Sequence, residues 1–213
     1  MSERALIGQK AQQWCDELWQ RGDPWSFETS DYEQARCERL LALLSGRRYH
    51  RALEIGCGSG YFTQFLAGIV ESIVAFDIAP SAIARARALR ADLPAAVEFR
   101  VANAMDYEWR ADGPWDLVVC SDTIHYLGWL YPFFDVAWFT AELFAATRSG
   151  GCLLLSNSMV EIETEDKLLR PYFARTYRDL CRNVGYRLES EEVFRGTKNG
   201  VDFEILMSRF MKP

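Results

Sequence analysis

The sequence predicts an α/β protein: a mostly parallel, seven-stranded sheet with helices on both faces, an antiparallel last strand and an N-terminal helical cap. Three observations predict it. From Arg51 onwards, apolar runs of strand length alternate with segments of helical period, the pattern of a parallel sheet covered on both faces. Gly56, Gly58 and Gly60 join the first strand of that alternation to its first helix. Near the C-terminus, two strand-like segments flank Asn199-Gly200, a strong hairpin signal, so the sheet closes with an antiparallel pair. At 213 residues the chain is long enough for one buried core, and a single domain is expected, with the cap over 1–46 and the core over 50–213.

In chain order, Ile7, Ala11, Trp14, Cys15 and Leu18 share one helical face, which predicts a helix over about 4–20. "RGDPWSFETS" breaks it. Ser30 and Glu33 are spaced as a capping box, and Cys37, Leu40, Leu41 and Leu44 stripe a second helix that Gly46 can end. "RALEI" is the first strand, followed by the glycine turn and a helix to about Ala67. "SIVAFD" is a buried second strand, and Pro80 suits the first turn of the helix "PSAIARARALRADL". "AVEFRV" and "WDLVVC" are strands three and four, with a polar loop between them. "FFDVAWFTAELFAATRSG" reads as a helix ending in glycine, and "GCLLLS" as strand five. "LLRPYFARTYRDLCRNVG" reads as mostly helix, terminated at Gly185. "YRLESEEVF" and "VDFEILMSRFM" are the last strands, joined by "RGTKNG".

Composition narrows the class. Hydrophobic residues are 49% and charged residues 25%, a globular balance. A net charge of -6 gives no general attraction for phosphate backbones, so no nucleic-acid partner is expected. The charged N-terminus lacks a signal peptide's apolar core, and no run is long enough to span a membrane; a cytoplasmic protein without membrane contact is expected. The six cysteines contain no C-x-x-C pair, so reduced, mostly buried thiols and no metal site are expected.

Ligands bind parallel sheets outside the carboxyl ends of the strands. The first βα turn lies there, and its glycines remove side chains so that a ligand can approach the backbone. The plainer reading is a tight turn without a ligand. Asp77 ends the second strand, where an acid can bond ribose hydroxyls; the plainer reading there is a helix cap. "GCGSGYF" is not the dinucleotide pattern G-x-G-x-x-G, and no P-loop is present.

"EIGCGSG" resembles the first motif of the class I S-adenosylmethionine (SAM) dependent methyltransferases, and "VAFDIAPSAIARAR" is similar to the segment that follows it there. The likeness implies a Rossmann-like three-layer αβα sandwich that uses SAM and releases S-adenosylhomocysteine. It implies that Glu54, Gly56, Cys57, Gly58 and Gly60 lie under the methionine part, that Asp77 holds the ribose, and that Ile78 packs on the adenine. Asn103 stands where that superfamily has an acid for the adenine amino group; its amide oxygen can accept the same hydrogen bond, and Asp106 is the alternative. Ala104 and Met105 would line the adenine pocket, or simply pack in the core, and Cys120, Ser121 and Asp122 would touch the methionine moiety, mainly through backbone. The absence of [ND]-P-P-[YF] after strand four argues against adenine methylation of nucleic acid. "DPWSFETSDYEQARCERLLALL" followed by "RALEIGCGSGYFTQFLA" resembles the NodS-like group, whose named member N-methylates the sugar amine of chitin-derived nodulation factors. That resemblance implies a lid that brings Trp25, Tyr32 and Trp14 to the cofactor. After strand five no motif of the group is recognised, so its acceptor is not carried over.

The expected function is methyl transfer to nitrogen or oxygen of a small-molecule acceptor. His125, just past strand four, is the candidate general base, with a packed wall histidine as the alternative. His50 precedes strand one and is expected to be structural. Tyr126, Trp129 and Tyr172 are candidate acceptor contacts, with Tyr177, Arg170 and the acids Glu161, Glu163, Glu165 and Asp166 near the same entrance. A non-catalytic SAM-binding partner protein and a nicotinamide-dependent oxidoreductase are the competing readings. Monomer and homodimer both stay open.

Overall fold

A computed structural model describes residues 3–159 and 171–213, apart from the side chains of Arg110 and residues 171–173. The elements are α1 (Glu3–Gln20), α2 (Asp31–Leu43), β1 (Tyr49–Ile55), α3 (Tyr61–Leu66), β2 (Val70–Asp77), α4 (Pro80–Leu89), β3 (Ala96–Val101) and α5 (Trp109–Asp112). They continue with β4 (Trp115–Ser121), α6 (Ile124–Leu130), α7 (Phe133–Ala146), β5 (Thr147–Ser158), α8 (Pro171–Asn183), β6 (Arg187–Lys198) and β7 (Val201–Met211).

Period-two alternation divides the strands between two cores. Leu53, Val118, Cys120, Leu153 and Leu155 face one side, against Trp109 of α5, Ile124 of α6, Phe139 of α7 and Cys181 of α8. Ala52, Leu117, Val119, Cys152 and Leu154 face the other, against Leu40 of α2, Phe62 of α3 and Ile83 of α4. Because both faces are covered, the strands read as near-continuous apolar runs. The strand order is β3-β2-β1-β4-β5-β7-β6, and β7 runs antiparallel to both of its neighbours. This is a Rossmann-like three-layer αβα sandwich. The chain leaves β1 towards β2 and β3, then returns to place β4 on the other side of β1. The crevice between the carboxyl ends of β1 and β4 is therefore the switch point at which such sheets bind ligands.

Several boundaries differ from the sequence expectation. The loop before strand four holds the short helix α5, whose Trp109 is buried against Phe76 and Phe139. Helix α7 stops at Ala146, before the glycines, because the Thr147 and Tyr186 hydroxyls both donate to the Leu143 carbonyl in its last turn. β5 therefore starts at Thr147 and shifts register against β4. "RGTK" belongs to β6, and Asn199-Gly200 alone forms the turn, both with positive φ. The capping box at α2 is half formed: Ser30 Oγ accepts from the Glu33 N–H, while the Glu33 carboxylate turns to Arg36 and Lys198. All six cysteines are free thiols. No helix among the described residues is long and apolar enough to cross a membrane.

Helix α1 crosses the carboxyl ends of β2 and β3. Gln12 Nε2 donates to the Ile78 carbonyl at 3.0 Å. Asp16 Oδ1 accepts from the Ser81 N–H at 2.7 Å, supplying the cap that Ala79 at the start of α4 cannot. Gly8 lies against Asn103: a Cβ there would be 2.7 Å from Nδ2.

Candidate active site

A cavity of about 500 Å³ opens at the switch point, floored by the turn after β1 and covered by α1 and the segment before α2. Gly56 and Gly58 each combine a positive φ with a close side-chain neighbour, a different one at each position. Gly56 has a φ of +71°, and a Cβ there would meet Thr123 Oγ1 at 2.1 Å; Gly58 has a φ of +54°, and its Cβ would meet Trp19 Cζ2 at 2.8 Å. The Gly56 and Cys57 N–H groups donate to the Phe76 carbonyl, and the Gly58 N–H donates to Asp77 Oδ2 at 2.9 Å, so β2 holds the loop in place. Asp77 Oδ1 accepts from the Ala79 N–H at 2.9 Å. Burial raises the Asp77 carboxyl above its usual range, opposed by those N–H donors. Glu54, beneath the loop, accepts from Thr63 Oγ1 at 2.6 Å. Burial, with the Asp77 charge nearby, pushes Glu54 up to about 8.

That shift sets a pH test. Glu54 binds its proton more tightly in the folded than in the unfolded chain, whose value is 4.5. Its contribution to stability is therefore full below pH 4.5 and is lost as pH rises towards about 8. Glu54→Gln is expected to raise the melting temperature of the ligand-free protein at pH 8 by about 2–8 °C, and to leave it unchanged at pH 4.5. An equal shift at both pH values would remove this assignment.

At the opposite end of the cavity, four charges form a chain. Lys198 Nζ donates to Glu33 Oε1 at 2.6 Å, and Arg36 Nε donates to Glu33 Oε2 at 2.8 Å. Arg36 Nη1 then donates to Asp122 Oδ2 and, at 3.3 Å, to Ser121 Oγ. Asp122 has a φ of +46°, uncommon without a glycine. Its Oδ1 is buried with no hydrogen-bond partner among the described residues, as are the Tyr32 hydroxyl and Ser158 Oγ on the same wall. Such orphaned atoms cost about 1–3 kcal/mol each unless a ligand satisfies them.

The NodS (Nodulation protein S) family model matches residues 10–130, more than half of the chain. The chain belongs to the NodS family. The Nodulation protein S of Bradyrhizobium diazoefficiens is 32% identical over 174 residues, covering 80% of this chain and 71% of that protein. The Rhizobium tropici protein of the same name is 32% identical over 107 residues, but the match covers only 50% of this chain and 44% of that protein. Among solved structures, the N-methyltransferase NodS of Bradyrhizobium japonicum in complex with S-adenosylhomocysteine superposes with a TM-score of 0.77 at 22% identity, covering 95% of this chain and 98% of that one. At that identity the likeness establishes a shared fold.

In this NodS-family chain, Glu54, Gly56, Cys57, Gly58, Asp77, Ile78, Asn103, Ala104 and Ser121 all line the cavity, as do Trp14, Trp25 and Tyr32 from the cap. Others do not. Gly60 starts α3, and its missing Cβ faces Phe99 and Arg90. Met105 and Cys120 are core residues of the α5–α8 face; the strand alternation that puts Val119 on one side puts Cys120 on the other. Asp106 is exposed and accepts from Asn103 Nδ2 at 3.0 Å. Asn103 Oδ1 accepts from the Met105 N–H at 3.0 Å and keeps a second lone pair.

His125 is buried on the cavity wall with Nδ1 3.4 Å from Asn157 Oδ1. An amide oxygen only accepts, so Nδ1 carries the hydrogen and Nε2 keeps its lone pair. Burial lowers its pKa, partly opposed by Asp122, and the ring is neutral at pH 7. Tyr126 lines the cavity beside it. Trp129 lies outside the lining, 37% exposed, packed on Trp14 at 5.8 Å and on Tyr126. His50 is at the surface, paired with Glu71. Tyr177 is a core residue rather than an entrance residue. The Tyr172 side chain, Arg170, Glu161, Glu163, Glu165 and Asp166 lie outside the described residues.

Sequence reasoning missed Arg36, Glu33 and Lys198. The only signal was the i, i+3 pair Glu33 and Arg36 on the apolar stripe of α2. Among the described residues no group of three His, Cys, Asp or Glu could hold a metal.

Proposed function

We propose that this chain is a SAM-dependent methyltransferase acting on nitrogen or oxygen of a small molecule. The observation that carries the proposal is the pairing of Arg36 with the half-satisfied Asp122 at one end of the cavity, opposite Asp77 at the other. A zwitterionic amino-acid end fits the first: an ammonium satisfies Asp122 Oδ1, and a carboxylate suits the Arg36 guanidinium. Ribose hydroxyls fit the second, since Asp77 keeps lone pairs beyond those used by the Gly58 and Ala79 N–H groups. The glycine loop lets the connecting chain approach the backbone. Asn103, Ile78 and Ala104 suit an adenine. SAM supplies a methyl group on an electrophilic sulfonium.

The residues then have three tasks. The cap excludes water through Trp14, Trp19 and Trp25. Tyr126, backed by Trp129, holds the acceptor so that its lone pair lies in line with the methyl–sulfur bond. His125, neutral and buried, takes a proton at Nε2 from an acceptor that enters protonated. An amine is the first class to test, because the Bradyrhizobium japonicum relative is described as an N-methyltransferase.

The experiment is transfer of labelled methyl from SAM to a panel of amines, amino sugars and phenols. Label in any one class, blocked by S-adenosylhomocysteine, supports the proposal. SAM binding with no transfer to any class would favour a non-catalytic role.

A further inference from the structure

Lys198 ends β6 at the tip of the hairpin, and its ammonium reaches residues far away in the sequence. Its ammonium donates to the Trp25 carbonyl and to Glu33, and its side chain is only 14% exposed. Beyond Glu33 the chain runs through Arg36, 7% exposed, to Asp122 on the cavity wall. Charges alternate in sign along its length. A guanidinium is rigid and planar, so fixing its Nε on Glu33 fixes the direction of Nη1. Glu33 spans two cations, with Oε2 on Arg36 and Oε1 on Lys198. The hairpin adds to the same wall: Val201 and Phe203 line the cavity, and Gly196 lies so close to the Tyr32 ring that a Cβ would be 2.8 Å from Cδ2.

We propose that Lys198 is a positioning residue for the amino-acid end of the cofactor, orienting Arg36 and Asp122 through Glu33. This rests on the SAM reading above. It gives the tip of the hairpin a part in the binding site through Glu33.

The test compares two ligands that share a nucleoside. S-adenosylhomocysteine carries the amino-acid end, and 5′-methylthioadenosine lacks it. Calorimetric affinities are measured for the wild type, Lys198→Met and Lys198→Arg, with thermal melts alongside. Lys198→Met is expected to weaken S-adenosylhomocysteine about tenfold or more and to leave 5′-methylthioadenosine unchanged, and Lys198→Arg is expected to restore most of the loss. If Lys198→Met does not fold, Glu33→Gln carries the same comparison. Equal weakening of both ligands would mean a general loosening of the cap, and no weakening would mean no coupling; either overturns the proposal. A wild type that binds neither ligand overturns the SAM reading itself, and this inference with it.

Discussion

Asp77→Ala is expected to lower SAM affinity by at least about 100-fold, the loss of two hydrogen bonds to a charged group. The carboxylate does two things at once. It holds the Gly58 and Ala79 N–H groups, and it presents its remaining lone pairs to the cavity. Removing it also releases the Gly58 N–H, while the Phe76 carbonyl still holds Gly56 and Cys57. Asp77→Asn separates the two roles, since the amide keeps one acceptor and the shape but not the charge. It is expected to retain the fold and still lose most of the affinity. Gly58→Val should be as severe by another route: the branched side chain meets Trp19 and needs a φ of +54°. Unchanged affinity in folded Asp77→Ala and Gly58→Val proteins would overturn the site.

The second large effect is at His125. Its replacement by alanine is expected to lower turnover by about 10²–10⁴-fold while SAM affinity stays unchanged. The pH profile gives the sign. Burial holds the imidazole below its ordinary value of 6.5. A base works when deprotonated, so kcat/KM should rise with pH along an acid limb centred below 6.5 and then stay level. In His125→Ala that limb should disappear. A near-normal rate with the limb intact would make His125 a packing residue.

The parts that were legible in the sequence are those set by local chemistry. The strand–glycine–helix turn and Asp77 are written in consecutive residues, because positive φ and close packing demand glycine there. The doubly covered sheet is written in the apolar runs of β1, β4 and β5. The α7–β5 boundary was not legible, since Tyr186, distant in sequence, helps terminate the helix. α5 is short, and its Trp109 is held by tertiary packing rather than by periodicity. Lys198 looked like part of a turn, yet the hairpin carries it to Glu33. Arg36 broke the apolar stripe of α2, and only its three partners explain its burial. Alternation along β4 already turns the Cys120 side chain into the core, which leaves only its backbone to face the site.

The most direct measurement is calorimetric titration of the wild-type protein with SAM, S-adenosylhomocysteine and NAD in parallel. The account predicts one site that binds SAM and S-adenosylhomocysteine and does not bind NAD. Binding of NAD with no response to SAM would contradict it, and would give the glycine turn and Asp77 to a different nucleotide.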